Sequence, residues 1–379
     1  MAKPLHRHQS SLEGFVNFSS STPLQDTERL QARTLLYKIV QHYENQSNIT
    51  TNSPYNRPKL LRLTFEYATT EESKDNVLRA FFNSIGLSMT GDVDLSCKKT
   101  EANVWFSIKG FADSLIDNFF LPLKASTRRA PQYSPAYHSA VKRSRTAEPS
   151  LTGTSGRLKT LRGDCLVRDR HRCVISGKFD QEQAVKRVHE CGDNAVDDHG
   201  SLLFGETFDI LEVAHILPHS LTQCNSDSEL DKSRIAALEI LNMFDNDVVP
   251  LIEGPEIDRP RNALTLTSSL HFFFSGFEIF FEPLKDMPNT YKIDTFLPYA
   301  ALNNLLPKTR TLFVTEQRTI DPPSARPLAI HRAIAHILHL SAAGLYIRRI
   351  LQDAEDQNVQ ADGSTALDKL VQLRMAGWV

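Results

Sequence analysis

Asn262-Ala-Leu-Thr-Leu-Thr-Ser-Ser-Leu-His271 is the stretch that decides the fold. Its residues 263–266 are short and apolar, which predicts a strand. Thr267, Ser268 and Ser269 follow, and their hydroxyls can accept the unpaired N–H groups of a first helical turn. A short helix carrying His271 is therefore expected, stopped at Gly276. Residues 277–281 alternate weakly and predict a final strand. An Asn before a strand and a His inside the next helix form a frame on which polar groups can be held rigidly.

Upstream, Leu211-Glu-Val-Ala-His215-Ile-Leu-Pro218 supplies the partner. Residues 208–217 predict a strand ended by Pro218. The order is then His215, Asn262, His271. Phosphodiester cleavage needs a group that takes a proton from the nucleophile, stabilisation of charge at phosphorus, and help for the leaving oxygen. A neutral imidazole can accept a proton at physiological pH, a divalent cation can stabilise the charge, and an Asn amide can orient the base. Each residue also has a plainer reading: His215 as a core histidine, Asn262 as a turn residue after Pro260, and His271 packed among Phe272, Phe273 and Phe274.

Three segments in order carry a resemblance. Arg168-Asp-Arg-His-Arg-Cys173-Val-Ile-Ser-Gly177, Glu212-Val-Ala-His215-Ile-Leu-Pro218 and Asn262 to Gly276 resemble the HNH endonuclease domain, in the variant found in uncharacterised fungal proteins. The resemblance covers residues 161–285. It implies an α+β fold with a ββα-metal core, interrupted by long insertions and flanked by helical regions. It also implies a metal-dependent endonuclease acting on DNA, with Mg²⁺, Mn²⁺ or Zn²⁺ as cofactor. By motif, His215 matches the general base, Asn262 the central Asn and His271 the helical metal ligand. The residue before the first His is often a metal-binding Asp or His in this family. Here it is Ala214, and Glu212, two residues back on the same strand face, is the substitute candidate, with Asp209 behind it. A CxxC zinc pair is absent, because Cys173 is followed by Gly177.

The chain divides on this reading into a helical region 1–123, a basic linker 124–160, the nuclease-like domain 161–285 and a helical region 286–379. Helices are expected over 25–46, 72–86, 105–123, 234–243 and 330–350. The linker holds Lys142 and Arg143, read as an import signal, a phosphate-touching arm or a plain solvated loop. His219 and Arg261 join them as candidate nucleic-acid contacts, His219 being equally readable as a surface residue. His189, Cys191, Asp197, Asp198 and His199 cluster in sequence but match no zinc pattern.

The formal net charge of −2 gives no global attraction for nucleic acid, so any basic footprint must be local. Five widely spaced cysteines suit a reducing, intracellular setting, nucleus or cytoplasm. No apolar run is long enough to span a bilayer. Two further functions stay open: a catalytically inactive HNH-fold nucleic-acid-binding protein, favoured by Ala214, and a protein-interaction scaffold built on the helical ends.

Overall fold

The computed structural model describes residues 22–46, 53–127, 154–222, 231–298, 302, 306–315, 319–355 and 366–378. The chain forms two compact units, each assembled from separate stretches. One takes residues 1–126, 220–250 and 333–379, and the other takes 127–219 and 251–332. Among the described residues no single helix is long and apolar enough to cross a membrane.

The first unit is helical. Its members include α1 (Asp26–Glu44), α2 (Arg57–Glu66), α3 (Glu71–Ile85) and α4 (Lys98–Leu115). The starts follow capping chemistry. Asn56 accepts from the Lys59 N–H with Pro58 behind it in the first turn, and Thr70 accepts from the Ser73 N–H ahead of Glu71 and Glu72. Gly86 ends α3 at φ 68°, a left-handed conformation that favours glycine. The expected helix over 105–123 begins earlier, at Lys98. It continues through a π-helical segment, Ile116–Phe120, into α5 (Leu121–Thr127). Helix α2 was not expected, since Pro58 reads as a breaker unless it sits in a first turn, where its missing N–H costs nothing.

The second unit opens with α6 (Thr154–Arg168). A tight turn follows in which Gly177 N–H donates to the Cys173 carbonyl and Ser176 N–H to Cys173 Sγ. The turn is hooked to the sheet by Val174 N–H donating to the Thr265 carbonyl. Strands β1 (Phe179–Asp180) and β2 (Phe208–Asp209) pair in parallel, with α7 (Gln181–Cys191) between them. The expected single strand over 208–217 is thus two, β2 and β3 (Leu211–His215). In the first unit, α8 (Lys232–Leu241) and the short α9 (Val249–Ile252) follow in sequence, α9 crossing into the second.

β3 pairs antiparallel with β4 (Ala263–Thr267), in a register that sets Leu211 against Thr267 and His215 against Ala263. β4 passes directly into α10 (Ser268–Ser275), capped by Thr267. Strands β5 (Ile279–Pro283), β6 (Thr290–Thr295) and β7 (Thr309–Thr311) form an antiparallel sheet. The last two were not expected, because their residues, Thr290-Tyr-Lys-Ile-Asp-Thr295 and Thr309-Arg-Thr311, are largely polar, even though β6 is the central strand. Helix α11 (Ala325–Leu340) follows, and Ser341-Ala342 separates it from α12 (Ala343–Glu355), so the expected helix over 330–350 is broken. Ala342 takes φ 62° there, which a continuous helix does not allow. The last helix is α13 (Leu367–Met375).

The core of the second unit joins Leu211, Ala214, Leu264, Leu266, Leu270, Phe274, Ile279 and Phe281. On the other face of β3 and β4, Leu161 and Cys165 of α6 pack with Ala263 and Val213. The two-stranded ribbon is thereby held between α6 and α10. Arg168, at the end of α6, is fully buried and forms a two-pronged pair with Asp169 at 2.8 Å for each contact. It also donates to the carbonyls of Pro260 (2.7 Å) and Ala263 (2.9 Å). A planar guanidinium makes this fork-shaped set, whereas a lysine ammonium cannot. Removing one member of a buried pair leaves an unpaired charge, at a cost of about 3–5 kcal/mol. Arg168→Met should lower the unfolding free energy of this unit by that amount in urea denaturation, and Arg168→Lys should not recover it.

Candidate functional site

The side chain of Asn262 is fully buried and both of its polar atoms are hydrogen-bonded. Its Nδ2 donates to the carbonyls of Leu217 and Ile257, both at 3.0 Å, and its Oδ1 accepts from the Leu217 N–H at 3.0 Å. Its own carbonyl accepts from the Ile216 N–H at 2.8 Å. Asn262 thus ties the end of β3 to the turn Gly254–Asp258. It contacts backbone, not solvent, and acts as a positioning residue.

That tie brings His215 to Asp258, a residue that the sequence reading missed. His215 Nε2 donates to Asp258 Oδ1 at 3.1 Å. A carboxylate only accepts, so the proton of this bond lies on Nε2. Asp258 Oδ2 accepts from Arg157 Nε at 3.0 Å and lies 3.6 Å from His219 Nε2, an ion-pair distance. The two imidazoles stand 6.0 Å apart between centroids. The Asp258 side chain is 1 % exposed, while His215 and His219 are 17 % and 28 % exposed, so the rings reach the surface and the carboxylate does not. Burial pushes the Asp258 carboxyl upward in pKa, but the His215 and His219 rings outweigh it and hold the group well below the usual carboxylate range. Nothing in the sequence pairs Asp258 with His215, because 43 residues separate them.

Glu212 and His271 form a second group. His271 Nδ1 donates to Glu212 Oε2 at 2.6 Å, and Ser268 Oγ donates to Glu212 Oε1 at 2.9 Å. The His271 hydrogen bond lowers the Glu212 pKa, burial opposes it, and Ser268 adds to the lowering. These groups face α10. Val213 and His215 alternate to the α6 face. Three residues of strand, about 10 Å, separate Glu212 from His215 along β3. The structure therefore brings together Glu212 with His271, and His215 with His219 and Asp258, but not the two groups with each other. Ala214 is fully buried in the core beside Leu270 and Phe274.

A divalent cation serving His215 would need donors at that end of β3. Among the described residues no group of three or more His, Cys, Asp or Glu side chains is arranged to hold a metal ion. Glu212 and His271 are closed on each other on the opposite face, and position 214 offers only a packed methyl. The residues present do not fit a cation shared with His215.

The other candidates are engaged elsewhere. Arg261 pairs with Glu256 at 2.6 Å and donates to the Leu251 carbonyl. Asp209 pairs with Lys178 at 2.8 Å. Asp197 pairs with Arg172 at 2.6 Å, and Asp198 with His171 at 2.7 Å and with Arg187. The acidic part of the 189–199 cluster thus holds the insertion to the turn after α6. Lys142 and Arg143 lie outside the described residues.

Residues 173–282 match the family model of the HNH endonuclease. The match covers the Cys173 turn, β3, β4, α10 and most of β5. No curated protein and no solved structure matches the chain.

Two outcomes follow from this geometry. Asn262→Asp turns both backbone carbonyls against a carboxylate and should lower stability by at least about 3 kcal/mol in chemical denaturation. Asp258 has a depressed folded-state pKa, so its stabilising contribution is present above the unfolded value near 4 and fades as pH falls toward the folded value. The stability gap between wild type and Asp258→Asn should accordingly narrow as pH drops below about 4, read by urea midpoints at stepped pH.

Proposed function

We propose that the second unit is a nuclease that breaks phosphodiester bonds, with His215 as the proton acceptor. The observation that carries this reading is the His215–Asp258 pair, set by Asn262 at the surface end of β3. The family match over residues 173–282 supports it, and so does the succession β3, β4, α10, which we read as the ββα core of that family. DNA is the substrate that the resemblance implies.

In the proposed step, His215 takes a proton from the attacking water as the water oxygen bonds to phosphorus and the P–O bond to the leaving strand breaks, the leaving oxygen gaining its proton from solvent, while Nε2–H stays bonded to Asp258. The carboxylate fixes the tautomer and ring plane and balances the charge that the ring acquires. Asp258 is itself oriented by Arg157. A divalent ion belongs to the family's chemistry, yet Glu212 and His271 stand on the other face of the ribbon.

One observation favours a second reading. Ala214 is sealed in the core where the family often carries a ligand, which suits a nucleic-acid-binding protein that keeps the fold without cleaving. Plasmid nicking with and without Mg²⁺ or Mn²⁺ separates the two. Wild type should nick, and His215→Ala should lose at least about 100-fold, the scale of one general base. Undiminished nicking by His215→Ala defeats the first reading, and salt-sensitive binding without any nicking selects the second.

A further inference from the structure

We propose that α13 pairs with the same helix of a second copy of this chain, antiparallel, about a two-fold axis at Val371. The pairing lies in the helical unit and goes beyond the nuclease reading. One side of α13 is already held. Leu373 is buried, and Lys369, one turn away on the same side, pairs with Asp117. Just past the helix, Trp378 is buried and its Nε1 donates to Ser233 Oγ at 3.0 Å. The Arg234 guanidinium lies 4.8 Å from the centre of the Trp378 ring and donates to the Ala376 carbonyl at 3.0 Å. This side fixes the helix to its own unit.

The other side is apolar too. Leu367, Val371 and Met375 recur every fourth residue and so form one stripe. At 3.6 residues per turn the stripe lies roughly opposite Leu373. Its members are 51 %, 47 % and 84 % exposed, so the described residues leave it uncovered. A helix apolar on both sides is one that is covered on both sides, and a row of exposed apolar side chains marks a surface for association.

The stripe is complementary to itself. Leu367 and Met375 stand four residues to either side of Val371, and Asp368 and Arg374 stand three to either side. Both charged residues are exposed and flank the stripe. In an antiparallel pair centred on Val371, Leu367 lies level with Met375 of the partner subunit, and Asp368 with Arg374 of the partner subunit. The two-fold axis makes each of these matches twice. A parallel pair would set Asp against Asp and Arg against Arg, so the charges select the antiparallel direction. Exposed ion pairs add little energy. The apolar stripe supplies the attraction and the charges fix the register. A net charge of −2 on the whole chain leaves little repulsion between copies. The stripe is about 12 Å long, too small for a permanent dimer, so the association is reversible.

The test is analytical ultracentrifugation of the full chain over a concentration series. Wild type should pass from monomer to dimer as concentration rises. Val371→Glu, which sets two carboxylates at the two-fold axis, should stay monomeric. Asp368→Arg and Arg374→Asp should each weaken self-association at least about 10-fold, because like charges then meet. The double variant carrying both changes should recover the wild-type affinity. An equal mixture of the two single variants should form a dimer that neither forms alone, which a merely misfolded variant cannot do. A wild type that is monomeric throughout, a dimer that ignores Val371→Glu, or single variants that stay apart when mixed would overturn the inference. Each of these outcomes leaves the nuclease reading untouched, since plasmid nicking tests that separately.

Discussion

The carboxamide of Asn262 is the constraint on which the candidate site depends. Buried amides are costly unless each polar atom has a partner, and here two donors and one acceptor are met by backbone on two sides, Leu217 and Ile257. The end of β3 and the turn before Asp258 are thus held in one register. Arg168 adds a second grip through the carbonyls of Pro260 and Ala263, on either side of the same residue. The separation of His215 from Asp258 is set by these backbone contacts, so the chemistry inherits the rigidity of the core rather than the freedom of a loop.

The β3–β4 ribbon also sorts the polar residues. Period-2 alternation sends Glu212 toward α10 and His215 toward α6, and each finds a charge partner on its own side. The α6 side concentrates one carboxylate against two imidazoles and a guanidinium, which leaves it rich in groups able to meet a phosphate. The α10 side closes into a compact carboxylate–imidazole–hydroxyl set. Burial of His331 shows the same core's dislike of charge. Its ring stacks 3.9 Å from Phe274, and desolvation pushes its pKa down to about 3, with only the Phe274 carbonyl opposing.

Much of this ribbon was legible in sequence. Short apolar runs gave β3 and β4, hydroxyls gave the start of α10, and the position of Asn262 before β4 marked it as special. Its role was not legible, because hydrogen bonds to backbone 45 residues away leave no local pattern. Asp258 was missed for the same reason, lying in a stretch that reads only as insertion. The α7 helix hid within what looked like a polar insertion, since its exposed Val185 and Val188 blur the apolar stripe. The π-helical segment after α4 and the break at Ala342 were missed because propensity does not report one-residue departures from helical hydrogen bonding.

The threading of the chain through the two units bears on how the protein is made. The helical unit needs residues from the beginning, the middle and the end of the sequence, and the other unit is completed only by residues up to 332. A ribosome delivers the chain from its N-terminus, so the first helices emerge long before α12 and α13, which complete their unit. Neither unit can be cut out as one uninterrupted stretch, because each closes through contacts between stretches distant in sequence.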